Sequence, residues 1–431
     1  MNWKLASLSW ICILVLFISM PEVIACSMYK VTHKGKTVVG CNEDAWRTTS
    51  SIWFKNATKK GEFGIAFTGS RIVSDGRTAP QSGMNMAGLS FSRLAAYYPK
   101  QENPFKDRKK VKNEVDYLSG ILHQCSSIEE VKNFINSYDH SYFFEDVFIY
   151  IDSSGKYLVV EPYHLIEGDD PNYVLSNFCP SITTSESARN IERYRNGTDF
   201  LKYHNPNSSP NFFRELSDTM HVCRERNGDG TLLTSIWDTK EKTVTLYFYH
   251  DFEKSVLFDL KDELAKGDHS LNAPDLFPQN PEFEQLKAYI TPFNLPNLRI
   301  AMVLLGGFLT LISLILVVLW VRSRDGTAKK TSIFIALINL LLTAYLAVLV
   351  TNKYIFYFDA PFVHSSSKLI TLSSYLPFLL LLIILPFSFF NIKYLKVKNI
   401  DTISKTLLIS SNAIYLALIV AFGYWGFYNI W

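Results

Sequence analysis

Val23-Ile24-Ala25 closes a hydrophobic leader, and the next residue is Cys26. A cut at that point leaves one residue carrying both a thiol and an α-amine. That residue then holds a nucleophile and its own proton acceptor, because an α-amine titrates near neutrality, at about 7.7–8.0. The thiol attacks a carbonyl while the amine takes its proton, and the amine returns the proton to the leaving nitrogen. Amide cleavage requires both transfers. The tetrahedral intermediate needs hydrogen-bond donors as well, which asparagine amides supply. Two other readings compete. Val-Ile-Ala-Cys fits a lipid-attachment signal, in which acylation of the Cys26 amine abolishes both groups. A free cysteine is also often a core residue. A strand-like segment starts directly at Cys26, where a lipoprotein would carry a polar tether, and this favours the nucleophile.

The flanking chain must export this residue and hold it. Lys4 opens residues 1–25, an apolar run extends from Leu5 to Met20, and Pro21 breaks it. With small residues at Val23 and Ala25, this reads as a cleaved signal peptide rather than a retained membrane helix, for which the run is short. Toward the other end lie four long apolar stretches, near 300–321, 331–351, 369–390 and 404–427. Each has about the 20 residues that cross a bilayer core. Arg322, Arg324, Lys329 and Lys330 follow the first, and Lys393, Lys396, Lys398 and Lys405 follow the third. The positive-inside rule makes both basic loops cytoplasmic and puts residues 26–250 outside.

Composition agrees with that layout. Of 431 residues, 48% are hydrophobic and 19% charged, more apolar than a soluble protein of this size. A net charge of +3, with no basic run interleaved with aromatics, excludes a nucleic-acid binder. The histidines show no metal-ligand spacing, so neither metal nor cofactor is expected. No Gly-x-Ser-x-Gly elbow supports Ser/His/Asp chemistry. The exported chain keeps Cys26, Cys41, Cys125, Cys179 and Cys223; the odd count leaves a free thiol, with up to two disulfides among the rest.

Periodicity places the elements. Residues 26–39 predict a hairpin turning at His33-Lys34-Gly35-Lys36, followed by an irregular polar stretch, Gly40 to Trp46. Short strands are expected at Ile52–Phe54 and Phe63–Thr68, with a turn at Met84–Leu89. Helical spacing over Asn113–Tyr138 divides at Cys125-Ser126-Ser127, with Ser127 as the second cap. Hairpins follow around Asp152–Gly155 and Asp238–Lys242, a strand ends at Asn177, and Ser185–Lys202 is helical. Residues 251–298, with prolines and mixed charge, read as a linker. The expected architecture is α+β: signal peptide 1–25, ectodomain 26–250, linker 251–298, and a membrane domain of four transmembrane helices over 299–431.

One ordered set of motifs resembles a known family. Cys26, Gly40-x-Asn42-x-Asp44-x-Trp46, Met84-Asn85-x-x-Gly88-Leu89 and Leu175-Ser176-Asn177 are similar to the linear amide C–N hydrolases. These include choloylglycine hydrolases, penicillin V acylases and acid-ceramidase relatives. The resemblance spans Cys26 to His250 and implies a four-layer αββα N-terminal-nucleophile hydrolase sandwich. Carried over by position, Cys26 is the nucleophile, Asp44 holds and polarises its amine, and Asn177 contributes to the oxyanion site. Arg193 is the cation behind them, with Arg189 and Arg195 as neighbours in register. Two positions depart from the pattern: Cys41 stands where many members have arginine, and Ala95 where the second oxyanion asparagine falls. The implied protein is a multi-pass membrane amidase with an extracytoplasmic catalytic domain. Its partners are a small amphipathic amide substrate and the lipid bilayer. The alternatives are a catalytically inactive lipoprotein-like receptor or scaffold, and an acyltransferase using the same thioester.

Overall fold

The computed structural model describes residues 26–45, 47–223, 230–322, 326–358, 360–363, 367–395 and 402–429. The signal-peptide reading of 1–25 lies outside these, as do Trp46, Arg324, Lys396 and Lys398. The chain divides into two compact units, with the boundary between Ala288 and Tyr289.

The first unit opens with β1 (Ser27–His33), β2 (Lys36–Ala45), β3 (Ser51–Lys55) and β4 (Ile65–Gly69). β5 (Ser82–Asn85), β6 (Ser90–Ala95) and the short β7 (Lys109–Lys110) follow, then helices Glu114–Gln124 and Ile128–Asn136. Next come β8 (Tyr138–Asp139), β9 (Asp146–Ile151), β10 (Tyr157–Val160), β11 (Leu165–Gly168) and β12 (Asn172–Leu175). Helices Glu192–Tyr203 and Pro210–Thr219 lead to β13 (Gly230–Asp238), β14 (Thr243–Phe248) and β15 (Asp251–Asp259). Helix Leu260–Ala265, β16 (His269–Asn272) and helix Pro281–Ala288 end the unit.

Two antiparallel sheets result, in the orders β12-β1-β2-β13-β14-β15 and β11-β10-β9-β6-β5-β4-β3-β16. Tyr29, Val31, Val38 and Ile236 of the first sheet pack on Phe200, Phe212, Phe213 and Leu216 of its two helices. Ile65, Phe67, Phe91 and Phe148 of the second pack on Leu118, Ile121, Leu122 and Val131 of the other helix pair. The inner faces meet through hydrogen bonds. Ser82 Oγ and Ser235 Oγ lie 2.8 Å apart, Trp237 Nε1 donates to Ser82 Oγ at 3.2 Å, and Thr68 Oγ1 donates to Glu43 Oε1. This is a four-layer αββα sandwich. Because both faces of each sheet are covered, the strands are buried on both sides and lose the simple inside–outside alternation.

Local chemistry explains most boundaries. Lys34 (φ 49) and Gly35 (φ 72) make the two-residue turn between β1 and β2, the conformation that hairpin twist demands. Asn85 Oδ1 accepts from the Ala87 and Leu89 amides at 3.0 Å, and its Nδ2 donates to Leu122 O and Cys125 O at 2.7 Å. The Met84–Leu89 motif is therefore a turn tied to a helix end. Ser127 accepts from the Glu130 amide as an N-cap, worth about 1 kcal/mol.

Two expectations are corrected. Gly40–Ala45 is regular strand, because β2 runs between β1 and β13 and both neighbours take its backbone groups. Residues 251–288 form no linker: β15 extends the first sheet and β16 pairs with β3 at the edge of the second. Four of the nine residues of β15 are charged, in keeping with an edge strand, which natural sheets protect with charge. Helix Pro210–Thr219 was absent from the sequence reading, although Ser209 before Pro210 is a strong start signal.

The second unit holds four helical segments long and apolar enough to cross a membrane: Pro296–Arg322, Lys329–Thr351, Lys368–Phe389 and Thr402–Tyr424. The third breaks at Ser374-Tyr375, between helices Lys368–Ser373 and Leu376–Leu395, and Pro377 lies in the first turn of the latter, where its missing N–H is tolerated. Inside this unit Tyr415 donates to Asn339 Oδ1 at 2.6 Å, and Asn339 Nδ2 donates to Ser411 Oγ at 3.4 Å.

Candidate active site

The first sheet sets the geometry around Cys26. β1 lies between β2 and β12, with Ser27 opposite Asn42 and Met28 opposite Leu175. Continuing both registers by one residue puts Cys26 between Glu43 and Asn177. Cys26 is 5% exposed. Burial, then the charges of Asp44 and Glu43, push its thiol up to about 12 in the chain with Ala25 still attached; the Asp44 backbone N–H opposes this. Such a thiol stays protonated at neutral pH, so attack needs a proton acceptor at the sulfur.

Asp44, near the end of β2, faces this residue from one side. Its Oδ1 accepts from Thr231 Oγ1 at 2.6 Å, and Thr231 Oγ1 accepts in turn from the Val222 amide at 2.9 Å. Asn177 flanks Cys26 from the other side. Arg193, 6% exposed, donates from Nε to Ser176 Oγ at 2.8 Å and from Nη2 to Asn177 Oδ1. Ser176 Oγ donates onward to Cys26 O at 3.3 Å. A guanidinium only donates, so the atom facing Arg193 must be the amide oxygen, and the NH₂ of Asn177 points the other way. One of its hydrogens goes to Ala95 O at 2.6 Å. Cys26, Asp44, Asn177 and Arg193 thus converge, and Arg189 instead pairs with Asp199 at 2.9 Å.

Three residues at the site escaped the sequence reading. Gln81 Nε2 donates to Cys26 Sγ at 3.2 Å, and also to Arg93 O. Gln81 reaches the thiol from the opposite sheet, and no motif signals it. Glu43 shares the inner face with Cys26. Burial raises its carboxyl to about 8, with the Thr68 hydroxyl working against that, and its Oε2 is buried with no hydrogen-bond partner among the described residues. The β1–β2 hairpin register was enough to find it. Ser176 links Arg193 to the Cys26 backbone and was read only as part of a motif. Cys41 is buried and its thiol is pushed up, first by burial and then by Cys26. All five cysteines of the described residues are free, so the disulfides allowed by the count do not form. Groups of His, Cys, Asp and Glu able to hold a metal are absent among the described residues.

A layered sandwich with a cysteine at the head of an inner strand invites comparison with solved structures. The chain is similar to a mutant of conjugated bile acid hydrolase from Clostridium perfringens, at TM-score 0.45 and 14% identity, covering 60% of this chain and 97% of that one. A second variant of that enzyme matches at TM-score 0.45 and 15% identity, over 59% and 97%. Penicillin V acylase from Agrobacterium tumefaciens matches at TM-score 0.42 and 14% identity, over 56% and 88%. These are two of the enzyme kinds that the motif order resembles. No family model and no curated protein matches the chain.

Proposed function

We propose that this chain is a membrane-anchored, extracytoplasmic amidase that hydrolyses a linear, non-peptide C–N amide through a Cys26 thioester. The observation that carries the reading is the convergence on Cys26: Asp44 on one flank, and Asn177, oriented by Arg193, on the other. Removal of residues 1–25 frees the Cys26 amine beside the Asp44 carboxylate, which stabilises the positive charge the amine acquires as it takes the thiol proton. Sγ attacks the carbonyl carbon as its proton passes to the amine. Asn177 Nδ2 and Gln81 Nε2 donate to the oxyanion. The amine then protonates the leaving nitrogen, the C–N bond breaks, and water hydrolyses the thioester.

An anchor of four apolar helices favours an amphipathic substrate that partitions to the bilayer, such as an N-acyl amino acid, an N-acyl-ethanolamine or a bile-salt-like amide. N-terminal sequencing of the purified protein tests the reading directly. A terminus at Cys26, with turnover of N-acyl amides abolished by Cys26→Ser or Asp44→Ala in folded protein, is expected. An uncleaved terminus, or full activity in either variant, would sink the mechanism.

Cys41 and Ala95, at the two departures from the family pattern, favour a second reading as an inactive receptor or scaffold. Mass spectrometry of the N-terminal peptide separates them, since a diacylglyceryl cysteine is far heavier than a free one. Product analysis with added amines detects acyl transfer in place of hydrolysis.

A further inference from the structure

A second thiol stands apart from Cys26. Of the cysteines in the described residues, four are buried and Cys223 is exposed. Cys223 Sγ lies 3.2 Å from His250 Nδ1, and His250 Nε2 lies 3.2 Å from Glu282 Oε2. Three separate segments supply the three residues: the stretch before β13, the β14–β15 turn, and helix Pro281–Ala288. Both nitrogens of the ring are therefore engaged. The carboxylate fixes the proton on Nε2 and leaves the Nδ1 lone pair facing the thiol, the arrangement of a nucleophile, a base and a residue that orients the base.

The turn that presents His250 is unusual. Phe248 pairs with Asp251, so Tyr249 and His250 make a two-residue turn, with φ of 53 and 46. Asn-Gly occupies such turns without strain, whereas bulky residues there are strained. Tyr249 is fully buried, its ring 5.3 Å from Phe283 on the helix that carries Glu282. His250 is thereby held between the thiol and the carboxylate, and the His221 ring stacks on it at 5.9 Å. Burial lowers the imidazole and raises the thiol, the latter aided by Glu282 and Asp218. The resting pair is neutral, S–H donating to Nδ1, and the proton crosses only during attack.

We propose that Cys223, His250 and Glu282 form a second nucleophilic site that takes a reversible modification from low-molecular-weight disulfides. Cys223 Sγ attacks one sulfur of the disulfide as its proton moves to His250 Nδ1. The S–S bond breaks, the leaving thiolate takes the proton from the imidazolium, and Cys223 is left as a mixed disulfide. Exchange of this kind needs an accessible thiol and a base, and charge develops only on sulfur. The proposal stands independently of the amidase reading.

Cystamine, with intact and peptide mass readout on the full-length protein in detergent, tests it. The first cysteamine adduct is expected on Cys223 and to be lost in Cys223→Ser. His250→Gly, which relaxes the turn while removing the base, should slow the adduct by roughly tenfold or more, and added imidazole should restore part of the rate. His250→Asn, also tolerant of positive φ, should be equally slow, and Glu282→Gln should be slowed less. A first adduct on another cysteine, a wild-type rate in either His250 variant, or a slowed variant that imidazole does not rescue overturns the proposal.

Discussion

Arg193 donates to the side-chain oxygen of Asn177 while the Asn177 NH₂ donates to Ala95 O, and the two contacts together fix the orientation of the amide beside Cys26. A flipped amide would turn its NH₂ toward the guanidinium and its oxygen toward Ala95 O, losing both contacts. In the proposed mechanism Arg193 acts through Asn177, as a positioning residue. Arg193→Gln should lower kcat for an N-acyl amide roughly tenfold to a hundredfold with KM little changed. Asn177→Ala should cost about a hundredfold to a thousandfold in kcat. A fall confined to KM in both variants would remove Asn177 from the oxyanion site.

Gln81 reaches the Cys26 sulfur at 3.2 Å from the opposite sheet. In the proposed mechanism it supplies a second oxyanion donor, which Ala95 cannot. Gln81→Ala should reduce kcat by about tenfold or more, with no loss of the secondary structure seen by circular dichroism. Installing asparagine by Ala95→Asn in that background should recover part of the rate. Unchanged kcat in Gln81→Ala would leave Asn177 as the donor that matters.

Glu43 carries a pH signature. Its carboxyl is raised from an ordinary 4.5 to about 8, chiefly by burial. Between those values the unfolded chain has released the proton while the folded chain retains it, so folding binds a proton. The associated stability is fully present below about pH 4.5 and is lost as pH rises through about 8, by an amount on the order of a few kcal/mol. Glu43→Gln should flatten that part of the stability profile, read as the denaturation midpoint against pH. A wild-type slope in the variant would mean that another group titrates there.

Gly40 pairs with Tyr29 across β1 and β2, and a Cβ at position 40 would clash with the hydroxyl end of the Tyr29 ring. The ring is held in place, its hydroxyl donating to Phe213 O at 2.9 Å and lying 3.0 Å from Ser217 Oγ. Gly40→Ala should destabilise the fold by roughly 1–3 kcal/mol in denaturant unfolding. In a Tyr29→Leu background the same change should cost clearly less, because the two residues share one volume. Additive costs would place the strain elsewhere.

Much of the fold was legible in local pattern. The β1–β2 turn, the helix division at Ser127 and the Asp152–Gly155 hairpin rest on turn and capping chemistry within a few residues. The four apolar segments rest on composition alone. The strand character of Gly40–Ala45 was hidden, because its partners β1 and β13 cover both sides of a polar run. The 251–288 segment looked like a linker because edge strands and short helices carry charge and proline without a buried stripe.

The candidate site divides along the same line. Sequence alone determined the residue kinds and their order: a cysteine after an apolar N-terminal stretch, then Asp44, Asn177 and Arg193. Motif order survives in one dimension. Only the tertiary structure decided that Gln81 touches the sulfur, that Glu43 is buried with an unmatched oxygen, and that Arg193 rather than Arg189 grips Asn177. Those relations come from one sheet packing on the other and from a helix packing on β12, contacts between residues far apart in the chain whose approach no local spacing encodes.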